Sequence, residues 1–169
     1  MRGLGPVRRI AVLSIFAAGM TMVRSPAYAA NVESPLRFFE GRTEMVSQIT
    51  VLMKRPYRSL TLGHGLIMAD GSLTLNQDVH DDSKPTHHRI WKIRQVGPGM
   101  FAGSMSDAID KVEIQEISGN FRFRFRMNGN LSVEQWLIPM PGGRVARSTS
   151  TIRKFGIRVA TSNGTIRRT

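Results

Sequence analysis

The chain has 169 residues, with 24 Lys and Arg against 12 Asp and Glu, a formal charge of +12, and no cysteine. That length suits one domain with its own core, and the missing thiol excludes disulfides, a cysteine nucleophile, thiolate-bound metals and the cysteine-borne anchor of a lipoprotein. The positive excess favours anionic partners such as lipid headgroups, glycans or nucleic acid, without choosing among them.

In chain order, the first element is a secretory leader. Arg2, Arg8 and Arg9 make a positive start, Ile10 through Val23 is almost wholly apolar, and Arg24-Ser25-Pro26 precedes Ala27-Tyr28-Ala29. Positive charge holds the start on the cytoplasmic side, the apolar run enters the membrane, and the small residues of an A-x-A site fit the peptidase. The apolar run of 14 residues falls short of the roughly 20 that span a bilayer. A signal-peptide helix cleaved after Ala29 is therefore expected over residues 1–29, not an anchor. The Arg8-Arg9 pair lacks the rest of a twin-arginine pattern, so the ordinary export route is expected. Cleavage removes four arginines and no acid, leaving 20 positive residues against 12 acidic ones and a net charge of +8. No other stretch is long and apolar enough to cross a membrane. The expectation is a soluble periplasmic or secreted domain over residues 30–169.

Ser34-Pro35-Leu36-Arg37-Phe38-Phe39-Glu40-Gly41 carries the punctuation of one short helix: a capping serine, a first-turn proline and a closing glycine. Beyond Gly41 alternation replaces the helical period. Asp70-Gly71 separates Leu60–Met68 from Leu73–Val79, and Asn128-Gly129 separates Phe121–Met127 from Leu131–Ile138. Both dipeptides permit the positive φ of tight hairpin turns. Gly142-Gly143, after Pro139-Met140-Pro141, leads into Val145–Ile152, and Gly97-Pro98-Gly99 divides Arg89–Val96 from Met100–Met105. With Thr43–Met53, Lys111–Ile117 and Phe155–Ala160, nine or ten short strands follow one another, with no repeat and no linker. Helices have no room between them. The spacing predicts an all-β fold, an up-and-down antiparallel barrel or sandwich, in which closure would remove exposed edges.

The clearest strand is Phe121-Arg122-Phe123-Arg124-Phe125-Arg126-Met127. Period 2 sends Phe121, Phe123, Phe125 and Met127 to one face and the arginines to the other. The apolar face must be buried; one strand leaves open whether it packs a filled core or lines a hollow. Stacking rings and phosphate-binding arginines fall on opposite faces, which argues against a nucleic-acid platform.

Signatures of chemistry are few. His80-Asp81-Asp82 and His87-His88 flank Ser83-Lys84-Pro85-Thr86, and alternation puts Asp78, His80 and Asp82 on one face. The spacing matches no metal signature, so no metal or cofactor is assigned. His64, between Gly63 and Gly65, reads as a strand histidine. Gly103-Ser104-Met105-Ser106 departs from the Gly-x-Ser-x-Gly elbow, and neither a phosphate loop nor a dinucleotide fingerprint occurs. Asp107 with Asp110, and Glu113 with Glu116, read as solvated strand-end acids.

Several short stretches together resemble one bacterial family. They are Phe38-Phe39-Glu40-Gly41, Asp78-Val79-His80-Asp81-Asp82, Arg89-Ile90-Trp91-Lys92-Ile93, Phe101-Ala102-Gly103 with Asp107, Gly119-Asn120, Trp136, and Lys154-Phe155-Gly156. The family is domain of unknown function 3833, lipocalin-like envelope proteins of which many are lipoproteins. The resemblance implies a calycin-type barrel of eight to ten strands and brings no established activity or ligand. The lipidation cysteine common in the family is absent here, so membrane tethering does not carry over. The tryptophan of the lipocalin Gly-x-Trp signature is absent after Gly41, which leaves kinship with true lipocalins an analogy of fold.

The leading expectation is a non-enzymatic envelope barrel that binds a small apolar or amphipathic molecule. Phe121, Phe123, Phe125, Trp91 and Trp136 are its candidate lumen residues. The alternative is a structural or interaction protein docking through Arg122, Arg124 and Arg126 on a basic surface, an anionic membrane among its partners. A third class is an enzyme on an envelope lipid or secondary metabolite, with the His80–His88 region as its site.

Overall fold

Ser34 opens a single helical turn, α1 (Pro35–Phe38): its hydroxyl accepts from the Leu36 amide at 3.3 Å, and Pro35 occupies the first turn. The computed structural model describes residues 34–82 and 84–169; the leader read over residues 1–29 lies outside them. Ten strands follow: β1 (Gly41–Val51), β2 (Tyr57–Ile67), β3 (Leu73–Asp81), β4 (His87–Gly97), β5 (Met100–Met105), β6 (Val112–Ile117), β7 (Asn120–Met127), β8 (Leu131–Pro139), β9 (Val145–Lys154) and β10 (Ile157–Arg168). Each pairs antiparallel with its neighbour in sequence. β1 then pairs with β10 from Thr43↔Arg168 to Val51↔Ala160, which closes the barrel. Of the barrel or sandwich expected from the turns, the observed all-β fold is the closed up-and-down barrel, as the family resemblance implies.

The turns explain the connectivity. Gly71, Gly129 and Gly143 hold positive φ at the expected hairpins. The last hairpin differs from the sequence reading. Phe155 (φ 50°) and Gly156 (φ 82°) form the turn itself, and β10 runs from Ile157 to Arg168. The expected strand Phe155–Ala160 thus begins two residues later and continues to the far end of the barrel.

Closure leaves two unlike ends. At one, Leu36, Phe38 and Phe39 are buried with Leu73, Phe101, Phe121, Leu137, Ala146 and Ile166, filling the barrel with side chains. The chain after α1 crosses β2 so closely that a Cβ on Gly65 would lie 1.9 Å from the Phe39 carbonyl oxygen. Only glycine admits that approach, and it holds α1 as a plug. At the other end no comparable plug occurs among the described residues. A barrel of eight strands is just wide enough for side chains to fill; ten strands enclose more space than the side chains here occupy.

Candidate functional site

The unfilled space is a cavity of about 330 Å³ running from Phe39 and Ile166, which face it from the plug, to Val51, Tyr57, Met127 and Leu131 at the open end. Two unlike walls enclose it. Strands β3, β4, β7 and β8 contribute Leu75, Val79, Trp91, Ile93, Phe123, Phe125, Val133 and Leu137. The Trp91 ring meets Phe125 edge-on at 5.7 Å and Phe123 at 6.5 Å, and its indole N–H donates to Gln77 Oε1 at 2.8 Å. These rings lock one another, since edge-to-face pairs are favoured by the ring quadrupoles.

The contiguous strands β2, β1, β10 and β9 make the other wall, and their inward positions carry small hydroxyls. Thr43, Ser47, Ser59, Thr61, Ser148, Ser150 and Ser162 line it, with Met45, Ile49 and Ile152 between them. Five of these hydroxyl residues, Thr43, Ser47, Ser59, Thr61 and Ser148, are buried. Gln135 reaches across to donate to Ser148 Oγ at 2.8 Å. Small side chains on this wall keep the lumen hollow, and their oxygens make one side of it hydrogen-bonding.

The mouth is polar and held by ion pairs. Lys84 Nζ lies 2.8 Å from Asp81 Oδ2 and donates to the Tyr57 hydroxyl at 3.0 Å, sitting over the Tyr57 ring. Burial by itself would raise the Asp81 carboxyl, but the Lys84 hydrogen bond, the Ser59 hydroxyl and the Lys84 charge together outweigh it and hold the group below its ordinary value. The same contact pushes Lys84 up. Next to it, on β4, Arg89 Nε donates to Asp107 Oδ2 at 2.9 Å, with His87 Nε2 at 3.8 Å from the same oxygen. Tyr57, Asp81, His87 and Arg89 all line the cavity.

Of the residues singled out from sequence, Trp91, Phe123 and Phe125 line the cavity. Phe121 is 1% exposed and lies beneath it, packed into the plug. Trp136 is not a lumen residue. The β7–β8 register pairs Leu137 with Phe121 and Gln135 with Phe123, so Trp136 opposes Arg122 on the outer face. There its N–H donates to Glu134 Oε1 at 3.3 Å, under the Arg122 guanidinium.

The arginine stripe is outside and largely partnered. Arg126 Nε lies 2.6 Å from Asp110 Oδ2 and holds that carboxyl below its ordinary value. Arg124 lies 3.6 Å from Glu113, and Arg122 bonds Gln115. Exposed His80 bonds Thr86, and exposed His88 bonds the half-buried Asp78. Among the described residues no group of three or more histidines and acids is placed to hold a metal.

The hydroxyl wall, Gln77, Gln135, Tyr57 and Arg89 were not read from sequence as site residues, whereas Asp81, Lys84 and His87 of the rim fall in the His80–His88 region. Around Ser148-Thr149-Ser150-Thr151 both faces of the strand carry hydroxyls, so alternation has no contrast to display.

The family described as protein of unknown function (DUF3833) matches residues 16–168. The chain belongs to it. No curated protein matches the sequence. Among solved structures, the S-type phycobiliprotein lyase of Guillardia theta has a similar fold: TM-score 0.64 at 10% identity, covering 79% of this chain and 90% of that one. A protein of unknown function from Nostoc punctiforme, of the DUF3598 family, gives a TM-score of 0.58, also at 10% identity. That match covers 79% of this chain and 49% of the other. At such identity the likeness is one of fold.

Proposed function

We propose that this DUF3833 barrel is an exported, non-catalytic carrier of a small amphipathic molecule held in its lumen. The observation that carries the reading is the two-walled cavity. A space of about 330 Å³ open at one end, apolar on one side with a few convergent polar groups, has the size and character of small-molecule sites. An extended ligand would lay its apolar body on Trp91, Phe123 and Phe125. Desolvation there would supply most of the affinity, about 0.8 kcal/mol per buried methylene. Oxygen or nitrogen atoms along the molecule would meet Ser59, Ser148, Ser150 and Ser162. A polar head would sit at the mouth among Tyr57, Lys84 and Arg89. The barrel fold shared with a phycobiliprotein lyase is compatible with this use. Export rests on the leader at residues 1–29 and assigns the carrier to the cell envelope or beyond.

Organic extraction of the purified protein followed by mass spectrometry, with titration of an apolar fluorescent probe, tests the lumen. A co-purifying amphipathic molecule that the probe displaces is expected. Empty protein that takes up no probe would sink the proposal. N-terminal sequencing of protein recovered from outside the cytoplasm tests export, and a first residue of Ala30 is expected.

A further inference from the structure

The β1–β10 closure brings two mouth loops together outside the lumen. The segment 52–56 between β1 and β2 lies beside the Phe155-Gly156 turn, and the Leu52 amide donates to the Val159 carbonyl at 2.8 Å. Both tips point large apolar side chains at solvent: Met53 is 96% exposed, Phe155 73%, Ile157 67% and Leu52 62%. Met53 and Phe155 also hold positive φ, 60° and 50°, where bulky side chains are rare and Gly or Asn costs less. Lys54, Arg55, Arg153, Lys154 and Arg158 surround them, and neither segment 52–56 nor 153–158 contains an acid. Arg153 and Arg158 stand directly opposite each other in the β9–β10 ladder, an arrangement that weakens a hairpin. Among the described residues, none of these cations is ion-paired.

Exposed apolar tips, strained backbone and opposed like charges all disfavour the isolated fold. The exposed tips and the like charges, though not the backbone strain, are relieved against a surface that is negative outside and apolar within. We propose that this edge of the mouth docks on an anionic lipid bilayer. Met53 and Phe155 enter the boundary between headgroups and acyl chains, and the cations take up the phosphates around them. Asp107 and Asp110 lie between β5 and β6, across the mouth, while Asp81 and Asp82, beside β2, are taken up by Lys84 and the Arg58 amide, so the barrel meets the surface tilted onto its β1–β10 edge. The proposal stands independently of what the lumen holds, since none of the tip residues or cations lines it. It would bring the lumen's mouth to a lipid surface.

The absence of cysteine gives a direct test on the full chain. Single variants Met53→Cys, Phe155→Cys and, at the plugged end, Met140→Cys each take one environment-sensitive fluorophore. Vesicles of phosphatidylcholine with and without phosphatidylglycerol are then added. Labels at 53 and 155 are expected to brighten and shift blue only with the anionic vesicles, while the label at 140 stays as in water. Added salt should reverse the response. The triple change Lys54→Gln, Arg55→Gln, Lys154→Gln should weaken vesicle partitioning on the order of a hundredfold and leave lumen probe uptake unchanged. Labels at 53 and 155 that stay in water would overturn the proposal. So would a response equal in both vesicle types and indifferent to salt. Loss of probe uptake by the wild-type chain would count against the lumen reading alone.

Discussion

Trp91 is the side chain whose replacement bears most directly on the lumen wall. It is 7% exposed, edge-on to Phe125 and Phe123, and bonded to Gln77. Trp91→Leu removes both ring contacts, each about 0.5–1.5 kcal/mol beyond area burial, and one hydrogen bond of about 0.5–1.5 kcal/mol. Gln77 lines the open cavity, so water can meet its freed oxygen and the heavier penalty for a stranded buried acceptor does not apply. Leucine keeps part of the apolar contact. The expected loss is about 3 kcal/mol, or roughly 10 °C in Tm for a domain of this size. Urea unfolding followed by far-ultraviolet circular dichroism should show a lower midpoint with an unchanged slope, and the apolar probe should bind more weakly. A loss below about 1 kcal/mol with unchanged probe affinity would refute the packed aromatic wall. Trp136→Leu, on the outer face, is the matched control and should leave probe binding as it was.

Three further outcomes follow from the same geometry. Ser150→Phe fills the hollow from the hydroxyl wall; probe uptake should fall at least about tenfold with stability changed by under about 1.5 kcal/mol, read by titration and urea melt on one sample. Gly103→Ala would put a Cβ 1.9 Å from the Lys92 carbonyl oxygen and 2.9 Å from Ile93 Cα. Every atom met is β4 backbone, so relief requires breaking the β4–β5 ladder; a loss of more than about 3 kcal/mol or insoluble protein is expected, and near-wild-type melting would contradict this packing. The Asp81–Lys84 pair sets a pH window. Because the folded Asp81 value is depressed, its contribution is present above the ordinary carboxylate value of 3.8 and lost as pH falls through the lower folded value. Because the folded Lys84 value is raised, its contribution is present below 10.5 and lost as pH rises through the higher folded value. Asp81→Asn should flatten the acid limb of a stability–pH curve, and an unchanged limb would remove the pair from the account.

The sequence by itself determined the class of fold and much of its punctuation. Asp70-Gly71 and Asn128-Gly129 specify tight turns because few other residues tolerate positive φ there, and Ser34-Pro35 specifies the start of α1 through a local cap. The Phe121–Met127 alternation makes one face of β7 apolar regardless of what packs on it. Phe155 hid its turn because an aromatic residue stands where Asn is usual. What only the tertiary structure decided depends on partners distant in the chain. Whether Phe121 lies in the plug while Phe123 and Phe125 face space depends on where α1 is seated, and whether Trp136 points in or out depends on the β7–β8 register. Closure of β1 on β10 assembles the serines and threonines into one wall, and it also sets the Met53 and Phe155 tips side by side. Hollowness belongs to no single strand: it is the difference between the width ten paired strands impose and the small side chains that four of them turn inward.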